Sequence, residues 1–449
     1  MGRSSYAKRA TLHPIRWMEQ YAIDIALHPE TTPHFHDYLT VRWAARVRPG
    51  LRVSTLRRAF EKLVKRHEPL RQRFVETDDG WKAEILDTHP VGLIVETHGA
   101  LSDHEQVSIV TERVREPLDA LSDALFEMRL LRFGDSCDVV FMRANHAIID
   151  GYSAAMLVEE LLKYILSLPV TAPVLSYGEF VGHQVRKELE NAEEKAAFWR
   201  RMLLPPPTDL NIGRKARGLA PMSPATVRKP RSLDRVLEPD DTARIEELSK
   251  RTGATPFAIL QAAFSETLCT LGDADSVMIN GIYGRNDPAL STYVGPGIEI
   301  APLRYDRDES GLETCIAQVV EKLSSAAKHL PTRELHPDGQ IIRAFEDAGV
   351  KHDRFWVLAP LPVGRMRASP FRKLFEKVLS GPLELGAVSI EQLEIPSLAP
   401  TDVEIEFTIT PAPDGPRATI HADAAAYGED ELGMIADGVR EQLARAAPL

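Results

Sequence analysis

The sequence predicts a mixed α/β chain in two lobes. At 449 residues it is longer than one hydrophobic core usually serves. Short β-branched runs, such as Asp138 to Arg143 and Glu404 to Thr410, alternate with apolar stripes at helical spacing. A proline-bounded connector runs from Pro169 to Pro173, so residues 1–173 are expected to form an N-terminal lobe and residues 174–449 a C-terminal one.

Taken in order, a short helix or turn is expected near Pro14 to Met18 and a strand near Tyr38 to Trp43. His34 and His36 read as part of a solvated loop, because no third histidine lies near to complete a metal site. Val53-Ser54-Thr55 opens an amphipathic helix with the stripe Leu56, Ala59, Phe60, Leu63, Val64. Pro69 stops that helix after His67 and Glu68, which read as a helix end supporting a turn. Trp81 to Val95 reads as two short strands joined by a turn, Glu105 to Val114 as a helix, and Leu125 to Leu131 as a strand. Asp138 to Arg143 is a buried strand. Leu157, Leu161, Tyr164, Ile165 and Leu168 then mark a helix, with Ser153 as its expected N-cap.

The run after Pro205 is irregular and carries Arg214, Lys215, Arg217, Arg228, Lys229 and Arg231. It reads as a solvated loop or as a basic face for a phosphate. Asp240 to Arg251 is a helix ended by Gly253. Thr255 caps a second helix, with Pro256 in its first turn and Gly272 stopping it. Val277 to Gly281 is a strand, Leu312 to Leu323 a helix, and Glu404 to Thr410 a strand paired with Arg417 to Ala422. A final helix places Leu432, Ile435, Ala436, Val439 and Leu443 on one side.

The chemistry concentrates in Asn145-His146-Ala147-Ile148-Ile149-Asp150-Gly151, where a strand gives way to a helix. His146 is the candidate catalytic residue. A neutral imidazole accepts a proton from a hydroxyl or amine near neutral pH. Asp150 either holds the turn by accepting backbone N–H groups or pairs with a distant cation. Gly151 lets the backbone turn where a Cβ would obstruct it.

Composition bounds the rest. Apolar residues make up 44% and charged ones 27%, and the net charge of −11 argues against a nucleic-acid binder. Cys137, Cys269 and Cys315 show no metal spacing and read as buried thiols in a reducing cytoplasm. No apolar run reaches the roughly 18 residues of a membrane span, and residues 1–5 lack the apolar core of a signal peptide.

Asn145 to Gly151 resembles the HHxxxDG motif of the condensation domains of nonribosomal peptide synthetases and related CoA-dependent acyltransferases, with Asn145 in place of the first His. Further landmarks follow in order. Arg66-His67-Glu68-Pro69-Leu70-Arg71-Gln72-Arg73-Phe74 resembles the family's RHExLRTxF segment. Tyr177 to Gln184 resembles YxDFAxWQ, Gly284-Arg285-Asn286 the GRN turn, and Val294 to Arg304 the GxFVNTxPLR segment. In that last segment Gly297 replaces an aromatic residue and Glu299 replaces the Asn. No late motif of the family is recognisable between His329 and about Pro400.

The resemblance implies two chloramphenicol-acetyltransferase-like lobes in a V-shaped pseudo-dimer, with the active site at their junction. It makes His146 the catalytic base, with Asn145, Asp150, Gly151 and Arg285 in support and an Asp150–Arg285 pair across the lobes. Ser153, Gly297 and Glu299 would line the substrate channel, where Glu299 binds a cationic acceptor or pairs with a nearby Arg. The donor would arrive on phosphopantetheine or CoA, with no tightly bound cofactor and no metal. The expected partners are an acyl or peptidyl carrier protein and a small-molecule acceptor, without nucleic acid or membrane. No adenylation or carrier segment fits in the remaining residues, so a free-standing condensation enzyme is expected. Its rivals are a non-catalytic recruitment domain of the same fold and a CoA-dependent acyltransferase acting on a small metabolite.

Overall fold

The computed structural model describes residues 11–28, 39–116, 118–134, 137–171, 174–207, 210, 212, 230–234, 236–283, 287–308, 310–336, 339–350, 355–358, 382–393, 395, 404–410, 415–424 and 427–448. His34, His36, Arg285, most of the basic run after Pro205 and most of the stretch from 351 to 400 lie outside them. The chain opens with β1 (Thr11–Pro14), α1 (Trp17–Leu27), β2 (Thr40–Arg48) and α2 (Val53–Arg66). Next come β3 (Gln72–Thr77), β4 (Gly80–Ile85), β5 (Ile94–His98), α3 (Asp103–Arg115), β6 (Phe126–Phe133), β7 (Asp138–Asn145) and α4 (Gly151–Ile165). Then follow α5 (Tyr177–Leu189), α6 (Ala192–Leu203), β8 (Pro230–Leu233), α7 (Pro239–Thr252), α8 (Pro256–Gly272), β9 (Ser276–Tyr283), β10 (Glu299–Asp306), α9 (Leu312–Lys328) and α10 (Gln340–Asp347). The remainder is β11 (Phe355–Leu358), β12 (Leu383–Leu385), β13 (Val388–Gln392), β14 (Ile405–Thr410), β15 (Arg417–Asp423) and α11 (Glu429–Ala446).

Two six-stranded sheets organise the fold. The first has the order β12-β13-β2-β7-β6-β5 and the second β10-β9-β11-β14-β15-β8. In the first, β5 runs parallel to β6 and the other pairings are antiparallel. In the second, β11 runs parallel to both β9 and β14. A small sheet, β1-β4-β3, flanks α1. The strands expected between Trp81 and Val95 are β4 and β5, but they lie in different sheets. Their partners, β3 and β6, are set by packing rather than by the turn between them. Strands β12 and β13 cross back from late in the chain to extend the first sheet beyond β2.

Every residue of β7 is buried, because its two faces serve two cores. Val140, Met142 and Ala144 face the main N-terminal core with Leu56, Phe60, Leu63 and Leu157. Val139 and Phe141 face a smaller one with Val110, Leu131 and Phe133. That period of two is what a strand covered on both faces requires. The stripe of α2 is buried as its spacing predicts: Leu56, Ala59, Phe60, Leu63 and Val64. The same holds for Leu432, Ile435, Ala436, Val439 and Leu443 of α11.

In the second core α8 is buried nearly all round, from Ala258 through Cys269. Its helix runs through Gly272, and it is Asp273 that turns left-handed at φ 46°. Leu290, Tyr293 and Val294, which precede β10, pack into the first core. No helix of the described residues is long and apolar enough to cross a membrane.

Candidate active site

Asn145 is the last residue of β7, paired across from Thr40. Its side chain is 1% exposed, and both ends of the amide are used. Nδ2 donates to the Leu118 carbonyl at 2.9 Å, and Oδ1 accepts the Ala147 N–H at 2.9 Å. Its own carbonyl accepts the Ile148 N–H at 3.1 Å. The turn is therefore pinned from the residue before it by a neutral side chain that needs no proton.

His146 follows as the first residue of that turn, its backbone N–H donated to the Leu39 carbonyl. The ring is partly buried. Burial holds the imidazole below its ordinary value of 6.5, against the opposing pull of its own carbonyl and of the Asp150 charge.

Asp150, not Ser153, caps α4. Its Oδ1 accepts the Ser153 N–H at 2.7 Å. Both residue types cap well, but the Ser153 hydroxyl is taken elsewhere: it donates to the Gly295 carbonyl at 2.8 Å and accepts the Gly295 N–H at 2.9 Å. The other oxygen of Asp150 accepts the Gly297 N–H at 2.9 Å. Asp150 and Ser153 are both fully buried. Gly151 is simply the first residue of α4, and its φ is not positive.

Two side chains from one helix start thus hold the backbone of residues 295–297, just ahead of β10 in the second sheet. A Cβ on Gly295 would run into the Tyr293 ring, which stacks on Phe180 at 4.2 Å.

Glu299 opens β10, two residues beyond the Asp150 contact. Gln184 Nε2 donates to it at 3.5 Å. Burial pushes its carboxyl up to about 7, with Glu188 raising it further and Arg16 and Lys195 opposing. The expected alternative of an Arg partner is not met by Arg16, whose guanidinium reaches Glu188 at 3.3 Å. Lys195 is likewise committed, to the Pro331 carbonyl at 3.2 Å and to the Lys187 carbonyl. Arg285 lies outside the described residues.

Sequence reasoning passed over Glu160 of α4. It receives His67 Nε2 at 2.8 Å and Arg66 Nε at 3.2 Å, which ties the end of α2 to the site-bearing helix. Glu68 accepts the Tyr177 N–H at 2.7 Å and so supports the start of α5. Among the described residues no three His, Cys, Asp or Glu side chains cluster as metal ligands would.

The family described as "Condensation domain" matches residues 29–346, well over half of the chain. A hybrid PKS-NRPS synthetase, thnA, of Trichoderma harzianum is 28% identical over 293 residues, covering 63% of this chain and 7% of its own length. The bassianolide nonribosomal cyclodepsipeptide synthetase of Beauveria bassiana is 26% identical over 402 residues, 84% of this chain and 12% of the relative. The chain therefore spans only a small part of the curated relatives it matches. Among solved structures, the first condensation domain of the CDA synthetase superposes with a TM-score of 0.68 at 18% identity, covering 98% of this chain and 97% of the other. That likeness establishes the shared two-lobed fold.

Proposed function

The chain belongs to the condensation-domain family, whose members are acyltransferases that form amide or ester bonds. From that premise we propose that it transfers an acyl group from a phosphopantetheine-bound carrier thioester, or from CoA, to an amine or hydroxyl acceptor, with His146 as the base. In this reading the lobes divide at 173/174 and the reaction runs in the cytoplasm. The observation that carries it is the placing of His146: its imidazole, held below the ordinary value by burial, sits on a turn fixed by Asn145 and Asp150.

The acceptor's N–H or O–H is aligned on Nε2. The nucleophile attacks the thioester carbonyl, and His146 takes its proton. The attack forms the new C–N or C–O bond and a tetrahedral oxyanion; its collapse re-forms the carbonyl, breaks C–S and passes the proton from His146 to the departing thiolate. General-base help of this kind is worth about 10²–10⁴-fold, and holding both substrates together supplies as much or more. Backbone N–H groups at the start of α4, near Gly151, are the proposed donors to the oxyanion. Asp150 and Arg285 are proposed as a pair that keeps the turn in place, and Ser153, Gly297 and Glu299 as residues of the substrate channel.

The test is intact-mass analysis of acyl-loaded carrier proteins and acyl-CoAs incubated with pooled amines and alcohols. Parent and His146→Ala protein are compared. Loss of the acyl group only with parent enzyme and one acceptor class supports the reading and separates amide from ester. Equal behaviour of both proteins on every donor defeats it. Carrier binding without turnover would instead favour a recruitment domain, and competition by free CoA against a carrier-loaded donor a small-metabolite acyltransferase.

A further inference from the structure

The solvent face of α2 is basic in a chain whose net charge is −11. Arg57, Arg58, Lys62 and Lys65 are exposed on it, and Arg52 is exposed at its N-cap. At about 100° per residue, Arg57, Glu61, Lys65, Arg58 and Lys62 fall within an arc of roughly 140°, opposite the buried stripe. Glu61 is the one carboxylate among them. Elsewhere arginines are engaged: Arg46 with Glu391, Arg129 with Glu96, Arg143 with Glu127. Among the described residues the side chains of Arg52, Arg57, Arg58 and Lys65 make no ion pair or hydrogen bond, and Lys62 lies 5.2 Å over the Tyr164 ring. The carboxylates of α4 packed beside this helix are taken, Glu159 by Lys163 and Glu160 by His67 and Arg66.

We propose that this face is the docking surface for the acidic face of a carrier domain bearing the donor thioester, an inference that rests on the acyl-transfer reading above. The argument for that occupant is charge complementarity. A protein of net charge −11 repels an acidic partner over most of its surface, and an unpaired run of cations steers that partner to one helix. The face has no exposed apolar residue to insert into a lipid surface, and a long polyanion such as DNA would meet the repulsion beyond this single helix. The surface also backs onto the site. The end of α2 is tied through His67 and Arg66 to Glu160 of α4, the helix that begins at the Asp150 cap. The basic run after Pro205 offers less: of its cations only Arg231 is described, and it pairs with Glu429 at 2.9 Å.

The experiment compares the parent with the fourfold variant Arg57→Glu, Arg58→Glu, Lys62→Glu, Lys65→Glu. The probes are a purified holo carrier domain with an acidic recognition helix, its charge-reversed counterpart, and an acyl-N-acetylcysteamine thioester that needs no docking. Carrier binding is titrated by fluorescence anisotropy at low and at high salt, and turnover of the small thioester is followed separately. We expect carrier binding to weaken about tenfold or more in the variant at low salt, the gap to close at high salt, the charge-reversed carrier to recover binding to the variant, and turnover of the small thioester to stay unchanged. Equal carrier binding by parent and variant overturns the inference. So does absence of carrier binding to the parent, or equally tight binding of the parent to duplex DNA or phosphatidylserine vesicles. If the parent fails to turn over the small thioester, the acyl-transfer reading falls, while the titration still decides the surface.

Discussion

Ser153 and Gly295, 142 positions apart in the chain, exchange two hydrogen bonds: the serine hydroxyl donates to the glycine carbonyl and accepts the glycine N–H. One fully buried side chain therefore satisfies both backbone groups of a residue that a Cβ would displace. With the Asp150–Gly297 bond beside it, this is the joint between the start of α4 and the segment entering the second sheet.

Removing the hydroxyl takes a hydrogen-bond partner from each of two buried backbone groups, at a cost of up to about 1–3 kcal/mol each. Ser153→Ala should therefore lower the melting temperature by several degrees. Gly295→Ala, which must push against a Tyr293 ring stacked on Phe180, should lose about 1–3 kcal/mol by overpacking. Thermal denaturation followed by circular dichroism reads both, and parent-like melting of Ser153→Ala would remove the joint from the account.

Asp150 does more than cap. Its loss removes the cap of α4, worth about 1 kcal/mol, and frees the buried Gly297 N–H. If the proposed Arg285 pair is present, breaking it adds to a total of about 3–5 kcal/mol. Asp150→Ala is expected to lose that much in urea denaturation, with Arg285→Ala losing a comparable part. A pair of variants as stable as the parent would exclude the ion pair.

The reason Ser153 was not the cap explains what the sequence could and could not disclose. Stripes such as Leu56 to Val64 and Leu432 to Leu443 are legible because amphipathic spacing is local. So is the strand–turn–helix around His146. The choice between two capping residues three apart depends on Gly295, far along the chain, claiming one hydroxyl. The placing of β4 and β5 in separate sheets, and the return of β12 and β13 to the first sheet, are non-local in the same way. At Glu299 the residue type announced a charge, but its surroundings depend on Arg16 and Lys195 being committed elsewhere, which no window of sequence contains. Asn145 stands where the resembling motif has its first His. Its two backbone hydrogen bonds show the position serving the turn instead.

Glu299 gives a pH signature. Its carboxyl is raised from 4.5 to about 7 in the folded chain, so the folded state holds the proton more tightly than the unfolded one. Below about pH 4.5 both states are protonated and nothing is lost. As pH rises towards 7 and beyond, the folded state must carry a poorly paired charge and stability falls, by at most about 3 kcal/mol. The side chain keeps some contact with solvent, so the measured figure should be smaller. Glu299→Gln should melt with the parent at pH 4 and above it at pH 8, and a pH-independent difference would discount the burial of this carboxylate.

His146 shifts in the opposite sense. Burial lowers it below 6.5, so the neutral ring persists into mildly acidic solution. The stability it contributes is present above 6.5 and is lost as pH falls through the lowered value. Acting as the base, it should give an acid limb in kcat/KM with its midpoint below 6.5. The limb should survive Glu299→Gln, which removes the other group titrating near neutrality. His146→Ala should abolish the limb and reduce kcat about 10²–10⁴-fold. It should also fold normally, since the backbone N–H to Leu39 is unaffected. An acid limb unchanged in His146→Ala would place the titrating base on another residue.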